Sequence, residues 1–283
     1  MGAKIYQNKK YIAFFLIPAF VFMLIFLYYP FIQNIINSFQ HIKYMGTAAD
    51  KWNAPFYKNY LEIFKDPKML IALKNTGIMI IATIVGEVGL AIVLSLLVSN
   101  IKKGAGFFRV VYFFPIVISA TALGLLFNLV FLYDKGMINQ LLQFIGVLDA
   151  GKNELIDWKA TYPMFTMLVP VIWQYVGFYF IILLTGLSGI PEDLYEAAEI
   201  DGASKLQQVR YVTLPLLRNS ICTCVVLAVT GALKVFDLSW TMFVNGMSNT
   251  WLTGTYMYSK VYVDVDYSSA IAVVIVIIGV VLT

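Results

Sequence analysis

The chain has 283 residues, 60% of them hydrophobic and 16% aromatic, and only 13% are charged, against roughly 25% in a soluble protein. This excludes an ordinary soluble domain and makes membrane lipid a partner of the surface, while a net charge of +4 gives no indication of nucleic acid. A single histidine, His41, and two cysteines, Cys222 and Cys224, exclude a Cys/His metal site within the chain. Two apart on a helix, the thiols project about 200° from one another and cannot pair.

Residues 11–40 carry no charge and follow Lys4, Lys9 and Lys10. The run is too long for a signal peptide and lacks a small-x-small cleavage site, so a first transmembrane helix is expected, bent at Pro18 and Pro30. Residues 41–74 turn polar and read as a loop with short helical pieces; Trp52, Phe56, Tyr57 and Tyr60 suit the membrane interface. The second span is expected over 75–101. Its one charge, Glu87, is a functional candidate by position, and its plainer reading is a glutamate hydrogen-bonded among helices. Gly86 and Gly89 beside it permit close helix contact.

A short turn with Lys102, Lys103 and Arg109 leads into the third span, 110–133, which has Pro115 near its start. The polar loop 134–160 precedes the fourth span, 161–189, with Pro170 and the cluster Trp173, Gln174, Tyr175 and Phe178. The fifth span is expected over 216–236, and Lys234 and Asp237 near its far end have the i,i+3 spacing of an ion pair. The sixth begins at 268 and stops at 283; sixteen residues rise about 24 Å, short of a ~30 Å core, so a longer native chain is expected. The fold class expected is an all-α integral membrane protein with six transmembrane helices.

Loop charge gives an orientation. With the N-terminus inside, segments 1–10, 100–109 and 191–218 carry nine Lys/Arg in 48 residues. The outside segments 41–74, 134–160 and 238–266 carry ten in 90. The density favours a cytoplasmic N-terminus.

Between the fourth and fifth spans lies a polar island, 190–217, reading IPEDLYEAAEIDGASKLQQVRYVTLPLL. Five acids crowd its start: Glu192, Asp193, Glu196, Glu199 and Asp201. Pro191 marks the beginning and Asp193 is a candidate cap for a helix of about three turns. Leu194, Ala197 and Ala198 share one stripe of that helix, and the two alanines leave a shallow face that another protein can approach. Gly202 is placed to end this helix and Pro215 to begin the next.

This island resembles the EAA loop of ABC-importer permeases: Glu196-Ala197-Ala198, Gly202, Val212 and Leu214-Pro215 match at the family's spacing, with Val212 where the family more often has Ile. Ile190-Pro191, Leu194-Tyr195 and Ile200-Asp201-Gly202-Ala203 resemble the sugar-importer branch. So do Phe107-Phe108-Arg109 leading into Phe114-Pro115, Leu233-Lys234-Val235-Phe236-Asp237, Asn245-Gly246, Tyr256, and Asp266-Tyr267 through Ala272. The resemblance covers most of the chain and is best to the maltose-type first permease, without that subunit's extra spans and large extracellular insertion.

The resemblance implies one permease domain over 1–283 with the type I ABC importer fold, in the cytoplasmic membrane of a bacterium or archaeon. It implies a second homologous permease, ATP-binding subunits that hold ATP and its magnesium, an extracellular or periplasmic solute-binding protein, and a sugar substrate. The chain itself has no GxxxxGK[ST], so it is expected to bind no cofactor and to be non-catalytic. Docking of the ATPase is implied at Tyr195, Glu196, Ala197, Ala198, Asp201, Gly202, Leu214 and Pro215. Sugars are bound by aromatic faces plus a few polar groups. Trp173, Gln174, Tyr175 and Phe178 supply both, with Gly231 and Lys234 of the fifth span as further pathway candidates.

Two other classes compete. An ion-gradient-driven secondary transporter would use Glu87, Lys234 and Asp237 for coupling, but no repeated broken-helix signature marks the two halves. A membrane enzyme would need a catalytic cluster; no HExxH or GxSxG occurs, and His41 has no evident partner.

Overall fold

The structure, a computed structural model, describes residues 9–99, 101, 104–149 and 154–283. Lys4, Lys102 and Lys103 lie outside the described residues. The chain divides into two compact units, Met1–Asp66 with Met257–Ile277, and Pro67–Tyr256 with Ile278–Thr283.

In the first unit the opening span runs as helix Lys9–Met23, a π-helical turn Leu24–Tyr28, and helix Tyr29–Asn37. The wider turn sits immediately before Pro30, whose ring opposes the carbonyl four residues back and which has no N–H to give the ladder. Every side chain from Tyr11 to Gln33 is exposed, as expected of a surface that faces lipid or another membrane helix. Gln40–His41 pairs antiparallel with Lys51–Trp52, a two-residue ribbon in a helical chain. A short helix, Lys58–Ile63, buries Asn59, whose amide donates to Ser38 O at 3.0 Å and to Asp266 Oδ2 at 3.1 Å. His41 does have a partner: its Nδ1 lies 3.7 Å from the same Asp266 oxygen. The partner escaped the sequence because Asp266 opens the last helix, Val265–Leu282.

The second unit is built on the helix Pro163–Ser188, which buries Met167, Val171, Phe180, Leu183 and Leu184 along its length. It runs through Pro170 without a break. Helix Pro67–Thr83, a π-helical turn Ile84–Gly89 and helix Leu90–Ser99 pack beside it, starting well before the expected residue 75. Gly86 permits close contact, since a Cβ there would lie 2.6 Å from Ile172 Cδ1; Gly89 faces open space. Glu87 is buried within the π-helical turn, facing the Tyr179 hydroxyl, with which it hydrogen-bonds.

The third span is broken. Helix Ala105–Phe113 and the 3₁₀ turn Phe114–Val117 meet helix Ala120–Val130 at 96°. Ile118 is extended, and Ser119 caps the second limb by accepting from Ala122 N at 3.2 Å. The carbonyl freed at Ile118 accepts the Gln174 amide at 2.9 Å. Arg218–Leu233 forms the fifth span, bent 68° from the preceding Lys205–Leu216. Cys224 is buried and Cys222 exposed, both as free thiols. Among the described residues, four helices are long and apolar enough to cross a membrane, six if each bent pair is one span.

Candidate docking loop and translocation pathway

The polar island folds into two short helical pieces around Gly202. The first, Asp193–Ile200, has eight residues, about two turns rather than three. Glu192 occupies the cap position without a side-chain bond, and Asp193 is the first helical residue, so the expected Asp193 cap is absent. Gly202 ends the helix with φ +79°, and Ala203 N returns to Ala198 O at 2.9 Å. A Cβ at Gly202 would meet nothing within 4 Å, so glycine is required there by backbone conformation and not by space.

Ser204 then caps Lys205–Gln208 in a reciprocal capping box with Gln207. Ser-x-x-Gln is the local sequence pattern of such a helix start. Glu199 pairs with Lys205 across the turn, and that hydrogen bond, with a further one from Gln208, holds the Glu199 carboxyl below its ordinary range. A π-helical turn, Val209–Thr213, leads to Leu214–Leu216 with Pro215 in its first turn. The Tyr195 hydroxyl reaches the buried Thr213 hydroxyl at 3.1 Å, tying the first piece to the second.

The candidate docking residues therefore divide. Glu196, Ala197, Asp201, Gly202 and Pro215 are exposed, Ala198 and Leu214 are half-buried, and Tyr195 is turned inward as a brace. Sequence reasoning missed Ile200 and Leu206, which are 86% and 79% exposed on either side of Gly202. Large apolar side chains presented from a charged loop suit a protein contact.

The pathway candidates are less uniform. Trp173 is 41% exposed and its ring meets Phe127 edge-on at 5.9 Å. Gln174 is buried, and its amide holds the break in the third span. Half-buried Tyr175 packs against both hydrophobic cores of the unit, and Phe178 packs against Tyr179 at 5.3 Å. Gly231 is exposed, with the Tyr179 hydroxyl 3.9 Å from where a Cβ would stand. Lys234 is exposed, but no ion pair joins it to Asp237 among the described residues. The helix stops at Leu233 and Phe236 leaves helical geometry, so the i,i+3 spacing is lost.

Residues 88–283 match the family of binding-protein-dependent transport system inner membrane components. The chain belongs to this family. The permease is 33% identical over 277 residues to the probable ABC transporter permease YurN of Bacillus subtilis, covering 96% of this chain and 93% of that one. It is 31% identical over 283 residues to the arabinooligosaccharides transport system permease AraP of Halalkalibacterium halodurans, covering 96% and 85%. Its fold matches a chain in the structure of a bacterial alginate ABC transporter in complex with an alginate pentasaccharide-bound periplasmic protein. There the TM-score is 0.79 at 21% identity, over 99% of this chain and 94% of that one.

The permease is thus an all-helical, multi-pass protein of the inner membrane with the type I importer permease fold, and a non-catalytic subunit of a binding-protein-dependent ABC transporter.

Proposed function

We propose that the permease forms half of the translocation pathway of an ATP-driven importer for a sugar or oligosaccharide. Its N-terminus is cytoplasmic, and its loop 190–217 docks the ATPase. The companion half is a second homologous permease. ATP and magnesium are held by the ATP-binding subunits, and a solute-binding protein delivers substrate from outside.

The observation that carries this reading is the two-piece loop. It presents Glu196, Ala197 and Ile200 outward while Tyr195 and Thr213 hold it rigid. A rigid projecting helix can transmit movement of a partner into the adjoining fourth and fifth spans, and ATP binding then biases a two-state pathway. The sugar assignment draws support from the arabinooligosaccharide and alginate systems named above, and from Trp173, Tyr175 and Phe178 as partly exposed aromatic rings on the fourth span.

The test is reconstitution into vesicles with and without the other subunits. ATP-dependent sugar uptake is expected only with companion permease, ATPase and binding protein together. Uptake by this chain alone above empty vesicles, or unchanged transport after Glu196→Ala and Ile200→Asp, sinks the reading.

A further inference from the structure

Lys159 is a half-buried cation held without an anion. Its Nζ donates to Asn128 Oδ1 at 2.9 Å and stands 5.1 Å from the centre of the buried Phe243 ring. Asn128 is itself fixed by donating to Thr241 O at 3.3 Å. The acid that acts on this lysine, Asp157, uses its Oδ1 to cap Ala160 N at 3.0 Å. No carboxylate among the described residues lies within 4.0 Å. Burial lowers the Lys159 pKa, and Asp157 offsets only part of that.

An ammonium has three donors, and the structure supplies one acceptor and one aromatic face. Asp157 acts on this charge from a distance, and among the described residues no carboxylate is in contact with the ammonium. Further aromatic rings, Phe127, Phe131 and Trp158, belong to the same apolar cluster as Phe243. Trp158 packs on Tyr162 at 5.9 Å and on Phe165 at 6.3 Å, and both partner rings are about half exposed. Phe127, adjacent to Asn128, carries the exposed Trp173. Aromatic faces with one amide and one cation fit a sugar ring bearing an oxyanion.

We propose that Lys159, positioned by Asn128 and Phe243, recognises an oxyanion on the transported saccharide: a carboxylate, sulfonate or phosphate. The proposal rests on the sugar reading and narrows its substrate class to acidic saccharides. The same chemistry occurs in a lipid headgroup, and the test separates the two sources.

The full chain in lipid nanodiscs is titrated with galacturonate and with galactose at constant ionic strength, following tryptophan fluorescence. The two sugars differ at one carbon, carboxylate against hydroxymethyl. Galacturonate is expected to bind roughly ten-fold more tightly, as a charge-assisted hydrogen bond allows. Lys159→Gln keeps a donor for Asn128 and should reduce the preference to about two-fold or less, while Lys159→Arg should retain most of it. The result should hold in nanodiscs made with neutral lipid and in those containing phosphatidylglycerol.

Equal binding of the two sugars by the wild type overturns the proposal and leaves the sugar reading intact. So does a preference that survives Lys159→Gln. If the substitution instead releases bound phosphatidylglycerol and leaves galacturonate binding unchanged, the cation serves a headgroup and the proposal falls. No saturable response to galacturonate up to about 100 mM also overturns it; the uptake assay above then judges the sugar reading separately.

Discussion

The Tyr195 hydroxyl and the Thr213 hydroxyl lie 3.1 Å apart, joining the first helical piece of the loop 190–217 to the root of the fifth span. Thr213 is buried and also faces Gln208 O at 3.4 Å, so the pair has little freedom to rearrange. Removing one hydroxyl forfeits a hydrogen bond of net worth about 1 kcal/mol, roughly a five-fold change in an equilibrium. Tyr195→Phe and Thr213→Val should each weaken retention of the ATPase about five-fold during co-purification. The double variant should be no worse than either single one, because both delete the same bond. Additive losses mean that Tyr195 touches the ATPase directly.

Gly202 offers a sharper test, because its φ of +79° and its open surroundings separate conformation from bulk. Asparagine visits this region of backbone space at small cost, whereas a β-branched residue there is an outlier. Gly202→Asn should keep ATPase attachment and coupled uptake, and Gly202→Val should lose both while the membrane helices remain folded. The assay is co-purification beside uptake and hydrolysis. If asparagine fails as badly as valine, the position demands empty space for a partner and not a left-handed turn.

Gln174 closes the break in the third span by donating to Ile118 O at 2.9 Å. Gln174→Leu keeps the volume and removes the donor, leaving a part-buried carbonyl without its partner at a cost of about 1 kcal/mol. Thermal unfolding of the detergent-solubilised permease should shift down, and uptake should fall with it. Reduced uptake with an unshifted unfolding temperature would assign the amide to solute contact.

Local patterns carried most of what was legible. The helix end in the loop 190–217 was legible because a glycine acts through its own backbone, and the structure finds the helix Asp193–Ile200 ending at Gly202 as the residue type demands. What stayed hidden depends on pairs distant in sequence: Tyr195 with Thr213, Gln174 with Ile118, Lys159 with Asn128, His41 with Asp266. The break in the third span lay between these cases. Phe114-Pro115 followed by Ser119 is a readable stop and start, but a continuous apolar run masked it. Lys234 and Asp237 failed for the opposite reason, since spacing on an assumed helix has no meaning once the helix has ended.

Asp264, half-buried just ahead of the last helix, gives a dependence on pH. Burial raises its pKa, the neighbouring Asp266 and Glu62 add to the rise, and Lys260 opposes it. The adjacent Asp266 Oδ1 is buried without a hydrogen-bond partner, and a protonated Asp264 supplies the donor it lacks. An acid whose folded pKa is raised binds its proton more tightly in the native state, so stability falls as pH rises from the ordinary aspartate range, about 3.9, towards the raised value. Hydrogen exchange over Met257–Ile277, corrected for the intrinsic rate, should therefore show protection that declines with rising pH across that window. Asp264→Asn provides a permanent donor and should flatten the decline while leaving the acid-side protection in place. Parallel declines in the wild type and the variant would mean that a group other than Asp264 sets the pH response of this unit.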